Sequence, residues 1–170
     1  YLGLHPEARL EAHFMSPALR AARASGRAAL MALDYRGIAR HCLEGPAPDV
    51  AIAQLTPPDA DGWCSAGLSA DFMPLVWPRA GCRVAHLNPR LPRTRGSFRV
   101  HVSEIDVAVE ADAATLTFTD GTAGPLEAAI GAQVAALVQD GDTLQFGIGA
   151  LPVALGHALK HHRRLRLHGG

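Results

Sequence analysis

An α/β architecture built on parallel sheet is the fold class that the sequence predicts, and three observations predict it. Strand-length apolar segments without a polar face occur at "AALMAL" (28–33) and "DVAIAQL" (49–55), and helical patterns separate them. Near the other end, "TLQF" runs through two glycines into a helical pattern and then another strand-like run. Continuous apolar strands are those covered on both faces, and helical crossovers are what parallel strands require. With 170 residues, 48% of them apolar, the chain is long enough to bury a sizeable core.

In chain order, Ser16-Pro17 ahead of residues 18–24 supplies an N-cap and a first-turn proline, so a helix is predicted that closes near Gly26. The run 28–33 follows as a strand expected to be covered on both faces. A short helical pattern at 35–43 leads through Gly45-Pro46-Ala47-Pro48 into the strand at 49–55, which Thr56-Pro57-Pro58-Asp59 ends. Residues 71–77 look helical, but Pro74 and Pro78 remove donors and crowd the preceding turn, which predicts a short or kinked helix. "CRVAHL" (82–87) and "IDVAVE" (105–110) predict two strands, with the proline-pinned loop "NPRLPRTRG" (88–96) following the first. Residues 111–124 mix Asp, Thr and Gly and read as a linker. Beyond it Pro125 opens a long amphipathic helix with Ile130, Val134, Leu137 and Val138 at helical spacing, stopped by Asp140-Gly141. A strand at 143–146, the glycine turn, a helix to about Lys160 and a strand at 165–167 complete a β-α-β unit, whose crossover is expected to be right-handed.

Sixteen basic side chains balance sixteen acidic ones, which removes the electrostatic case for nucleic acid or an anionic membrane as partner. No apolar run approaches bilayer-spanning length, and a soluble protein with a small-molecule partner is expected. Cys42, Cys64 and Cys82 are odd in number and widely spaced, which predicts free thiols and a reducing, cytoplasmic setting. Nine histidines are mostly scattered, so no metal is expected. The sequence starts without Met and stops at Gly169-Gly170 just after a strand-like run, which leads us to expect part of a longer chain.

The turn "GIGA" (147–150) is the most chemically suggestive local feature. A turn after the strand of a β-α-β unit lies at the carboxyl edge of the sheet, where ligands of open α/β folds bind. Gly147 and Gly149 permit close backbone approach, and the following helix aims free N–H groups at the turn, fit for a phosphate or a developing oxyanion. A dinucleotide fingerprint is disfavoured, because Pro152 replaces the third glycine and no Asp or Glu follows. Two glycines needed only for tight strand-to-helix packing remain the alternative.

Four segments in order, "DVAIAQLTPPDADGWCSAG" (49–67), "NPRLPRTRG" (88–96), "HVSEID" (101–106) and "LQFGIGALPVAL" (144–155), resemble the acetyl-CoA hydrolase/transferase family, which includes the 4-hydroxybutyrate and acetate CoA-transferases. The resemblance implies a CoA-transferase-like fold: residues 1–110 as the rear part of a first α/β domain, 111–124 as a linker, and 125–170 as the start of a second. It implies acyl-CoA and a small carboxylic acid as partners, coenzyme A as substrate with no permanently bound cofactor, and it is compatible with a homo-oligomer. In such enzymes a glutamate carboxylate attacks the thioester and an enzyme-bound glutamyl thioester follows. The family loop that lines this site matches Gly147, Ile148, Gly149 and Ala150, and Gln145 and His168 join them as expected CoA and substrate contacts. The family's nucleophile sits in a pattern resembling Leu-x-Ile-His-Ser/Thr-Glu. The matching run Leu165 to Gly170 places Gly170 where the glutamate belongs, and glycine has no side chain to acylate. The resemblance thus implies an enzyme acting on a thioester through a glycine-turn oxyanion site; the alternative is a non-catalytic acyl-CoA-binding or assembly relative.

Other residues have competing roles. Glu104, with His101 nearby, is either a substitute carboxylate or a cap ahead of the strand at Ile105, the role we favour. Cys64 is expected to be a buried apolar residue rather than a nucleophile. Asp59-Ala60-Asp61-Gly62 reads as a turn rather than a cation site. The cluster 160–164, Lys-His-His-Arg-Arg, reads as a helix end whose cations offset the dipole, with CoA phosphates as the rival partner. His168 is a candidate base for hydrolysis by water.

Overall fold

A computed structural model describes residues 5–117 and 121–169, and the chain divides into two compact units, Tyr1–Thr115 and Leu116–Gly170. The first unit runs β1 (Leu10–Ala12), a 3-10 turn Pro17–Leu19 continuing into α1 (Arg20–Ala24), β2 (Ala28–Leu30), α2 (Tyr35–Glu44), β3 (Val50–Leu55) and β4 (Trp63–Ser65). It continues with α3 (Met73–Val76), which passes into a 3-10 turn Trp77–Arg79, then β5 (Cys82–Leu87), β6 (Arg99–His101), a 3-10 turn Val102–Glu104 and β7 (Val107–Glu110).

Its centre is the parallel sheet β3-β5-β7, in which Ile52 pairs with Val84 and Val84 with Val107. The parallel pair β1-β2 precedes it in sequence, and the strands of the antiparallel pair β4-β6 alternate with its own. Among the described residues, one face of the central sheet is covered. Ala51, Ala53, Leu55, Ala85 and Leu87 join Cys64, Ala66, Trp77 and Val100 in the core, and Met73, Val76 and Phe98 pack against them. The opposite face leaves Val50, Ile52, Val107 and Val109 exposed, Ile52 at 67%. Buried and exposed residues alternate along β3, so the described residues supply cover on one side where cover on both was expected. The small alanines on the inner face let the large Trp77, 1% exposed, lie against the sheet.

Several local expectations shift for identifiable reasons. The helix predicted from Ser16 begins as a 3-10 turn, and the Ser16 side chain makes no cap bond. The strand at 28–33 shortens to three residues with Ala29 and Leu30 exposed, and its partner β1 was not predicted. By contrast Asp34, just before α2, accepts from the Gly37 amide at 2.7 Å and caps that helix. Proline keeps α3 to four residues, as the sequence predicts.

Two polar ties position the loops at the carboxyl edge of the central sheet. Asn88, fully buried after β5, donates to the Ala113 carbonyl at 2.8 Å and accepts from the amides of Arg90 (3.0 Å) and Ala113 (3.3 Å). Thr56 and Ser65, also buried, tie the end of β3 to β4: each donates its amide to the other residue, Thr56 to the Ser65 carbonyl and Ser65 to the Thr56 hydroxyl.

The second unit contains α4 (Pro125–Ala135), β8 (Thr143–Phe146), α5 (Ala150–Ala158) and β9 (Arg166–Gly169). β8 and β9 are parallel, which makes the β-α-β arrangement real. α4 ends at Ala135, ahead of the predicted stop at Asp140-Gly141, and its expected apolar stripe is not its packing face, since Ile130, Val134 and Leu137 are exposed. Instead the buried Gly131 lies against α5, where an added Cβ would stand 3.1 Å from the Ala154 carbonyl carbon. Small residues set this helix contact.

Candidate functional site

The turn at 147–150 is built by a change of backbone direction at the end of β8. Gly149 adopts φ +115°, a region that L side chains rarely enter, and from there the chain enters α5 with Pro152 in its first turn. Among the described residues the amides of Ala150 and Leu151 donate to no backbone carbonyl, whereas Val153 already bonds back to Gly149. Among the described residues, then, two N–H groups without an acceptor lie at the positive end of a nine-residue helix.

The glycines are not explained by packing within the described chain. A Cβ at Gly147 or at Gly149 would meet nothing within 4 Å, in contrast to Gly131. Gly149 is required by its dihedral angle. Gly147 has neither a crowded neighbour nor a left-handed angle. Ile148, between them, is 85% exposed, and Ala150 is half-buried.

The register of the β8-β9 pair brings two further predicted residues together. Gln145 pairs with His168, so their exposed side chains rise from the same face, one residue row before the Phe146-Gly169 pair at the strand end. Gln145, Gly147, Ile148, Gly149, Ala150 and His168 thus share one sheet edge. Gly170, the position where the resemblance puts the family glutamate, lies outside the described residues.

Other candidates fall elsewhere. Glu104 accepts from the His101 amide at 3.0 Å, and the His101 ring meets the Ser103 hydroxyl at 2.8 Å, so both close the 3-10 turn before β7. Cys64 is fully buried in the core, where desolvation pushes its thiol up from the ordinary range, away from nucleophile behaviour. Asp59 builds its turn by accepting the amides of Asp61 (3.2 Å) and Trp63 (2.8 Å), with Gly62 at φ +82°. The Trp63 amide bond, aided by Arg93 and Arg99, holds the Asp59 carboxyl below its ordinary range. The cluster 160–164 follows directly on α5, whose C-cap is Leu159, and continues as a loop in which the Arg163 backbone amide donates to Asp140 Oδ1 (2.9 Å) and the His162 ring meets the Val138 carbonyl (3.1 Å), with Arg164 at φ +57°.

Among features the sequence reading did not find is a cavity of about 330 Å³ lined by Pro57, Leu87, Pro89, Glu110, Ala111 and Asp112. It sits where β3, β5 and β7 all end, the usual ligand edge of a parallel sheet. Its signal in the sequence was the coincidence of three strand ends, which only the pairing order reveals.

No protein-family model matches the chain. It is 37% identical over 167 residues to the 4-hydroxybutyrate coenzyme A transferase of Clostridium kluyveri, covering 98% of this chain and 39% of that protein. The chain belongs to the CoA-transferase family. A second relative, the succinyl-CoA:cyclohexane-1-carboxylate CoA transferase of Geobacter metallireducens, is 31% identical over 96% of this chain and 37% of its own length. Among solved structures, the 4-hydroxybutyrate CoA-transferase of Porphyromonas gingivalis aligns with a TM-score of 0.74 at 26% identity, covering 98% of this chain and 44% of that one. RipA of Yersinia pestis aligns at 0.82 and 26% identity, over 92% of this chain and 38% of its own. This CoA-transferase-family chain spans about two-fifths of the length of the curated relatives it matches. Among its described residues no helix is long and apolar enough to cross a membrane.

Proposed function

We propose that this chain contributes the thioester-handling part of an enzyme of the acetyl-CoA hydrolase/CoA-transferase type, with acyl-CoA and a small carboxylic acid as its partners. The observation that carries the reading is the turn itself: a positive-φ Gly149 opening α5 and, among the described residues, two amides without carbonyl partners and a Gly147 that neither packing nor backbone strain explains. Amides fixed at a helix N-terminus stabilise a carbonyl oxygen as it becomes an oxyanion, the charge that develops when a thioester is attacked. In the transfer reaction a carboxylate oxygen bonds to the thioester carbon, the carbonyl electrons move onto oxygen, and the C–S bond breaks to release CoA thiolate. Gln145 and His168 stand on the same edge to contact the substrate.

The family glutamate is replaced by Gly170 in the register we favour, so this chain supplies no carboxylate at that position. Two consequences follow within the same reading. Water, with His168 taking its proton, replaces the carboxylate and gives hydrolysis; otherwise the chain binds acyl-CoA without turning it over. Incubation of the intact protein with acetyl-CoA, followed by intact-mass measurement and a parallel assay for free CoA, tests these outcomes. We expect thioester binding without a covalent glutamyl-CoA adduct. An adduct would show that the nucleophile lies outside these 170 residues or that the register at Gly170 is wrong, and loss of all acyl-CoA binding would overturn the reading. Hydrolysis unchanged in His168→Gln would remove the assigned base.

A further inference from the structure

We propose that the pocket on the 93–99 loop of the first unit is a binding site for a phosphate monoester dianion. This inference concerns the first unit alone and stands independently of thioester chemistry. The pocket measures about 380 Å³, and its lining includes Arg93, Arg95, Arg99, Asp59 and the buried Ser65.

Two guanidinium groups are already fixed in place. Asp59, locked by its own turn, faces Arg93 Nη1 at 3.3 Å and Arg99 Nη2 at 3.5 Å through its Oδ2. Arg93 is further anchored on the carbonyls of Pro57 (2.6 Å) and Trp63 (3.0 Å), and the Arg99 guanidinium lies 4.8 Å from the centre of the Trp63 ring. Side chains held this way lose little further freedom when a ligand arrives. Arg95, on the same wall, has no ion pair or hydrogen-bond partner among the described residues. Three arginines against one aspartate leave two positive charges in excess.

The floor supplies an unused donor. Ser65 is 1% exposed; its Oγ accepts from the Gly67 amide at 3.1 Å, and its O–H donates to no protein acceptor among the described residues. A buried hydroxyl that shares a pocket lining with guanidinium forks suits an oxyanion with several terminal oxygens. A phosphate monoester, dianionic at neutral pH, matches the two excess charges, where a carboxylate would leave one uncompensated.

The test is a calorimetric titration of inorganic phosphate into the intact protein, wild type and Arg95→Gln, at low salt. Arg95 makes no ion pair or hydrogen bond among the described residues, so its replacement is expected to leave the thermal midpoint unchanged. We expect saturable binding that weakens about tenfold or more in Arg95→Gln, and in Ser65→Ala, with acetate binding more weakly than phosphate. No saturation below about 10 mM phosphate, or equal binding by wild type and Arg95→Gln, would overturn the proposal. Competition identifies the source. Displacement of phosphate by CoA but not by 3′-dephospho-CoA assigns the monoester to CoA and supports the site. Failure of both to displace supports it as a site for free phosphate. Equal displacement by both contradicts it, because the dephospho form carries no monoester.

Discussion

Gly147 and Gly149 look equivalent in the sequence, yet they do different work. Gly149 sits at φ +115°, so Gly149→Ala forces a side chain into a strained angle and is expected to destabilise the protein by about 1–2 kcal/mol, measured by denaturant unfolding. Gly147→Ala places its methyl in open space and is expected to leave stability within about 0.5 kcal/mol of wild type. The motif was legible in the sequence; the division of labour was not, because it depends on a dihedral angle and on neighbours distant in sequence. Asn88 shows the same limit. It reads as one residue of a proline-rich loop, but its buried amide joins two loops through three hydrogen bonds, so Asn88→Ala is expected to cost about 2–3 kcal/mol.

Between elements, Arg79 and Gly131 carry the contacts that single-segment patterns do not reveal. The Arg79 guanidinium bonds the Cys42 carbonyl and, at 2.6 Å, the Gly45 carbonyl, satisfying carbonyls at the end of α2 and favouring its dipole. Arg79→Ala is expected to destabilise the protein by about 1.5–3 kcal/mol, seen as a lower midpoint in urea. Periodicity located α2, β3, β5 and β8 within a residue or two, because each has six or more periodic residues or clear turn signals at its ends. It missed β1, β4 and β6, since three-residue strands carry too little pattern and exist through their partners. It also misassigned the packing face of α4, where the small Gly131 and not the large apolar residues makes the contact.

At the scale of the whole molecule, acid sensitivity follows from two carboxylates of the first unit. The Arg83 side chain and amide hold Asp106 below its ordinary value of 3.8, and the Trp63 amide with Arg93 and Arg99 does the same for Asp59. A carboxyl with a depressed folded value adds stability that is present above the unfolded value and is lost as pH falls through the folded one. Stability is therefore expected to decline progressively below about pH 4, and thermal melts of Asp106→Asn should show a shallower decline than wild type. The parallel α/β class was legible from composition and pattern, and the family resemblance from four ordered motifs. One-sided cover of the central sheet was not, because an apolar run reads the same whether or not a layer lies on its second face.

The central claim is that the turn at 147–150 receives an acyl-CoA thioester, and Gly147 offers the cleanest handle on it. Calorimetric titration of acetyl-CoA into the intact wild-type protein and into Gly147→Ala, with stability measured on the same samples, tests this directly. The account predicts binding by wild type and a loss of about tenfold or more in the variant at unchanged stability. Equal affinity in the two proteins, or no binding by either, would contradict it.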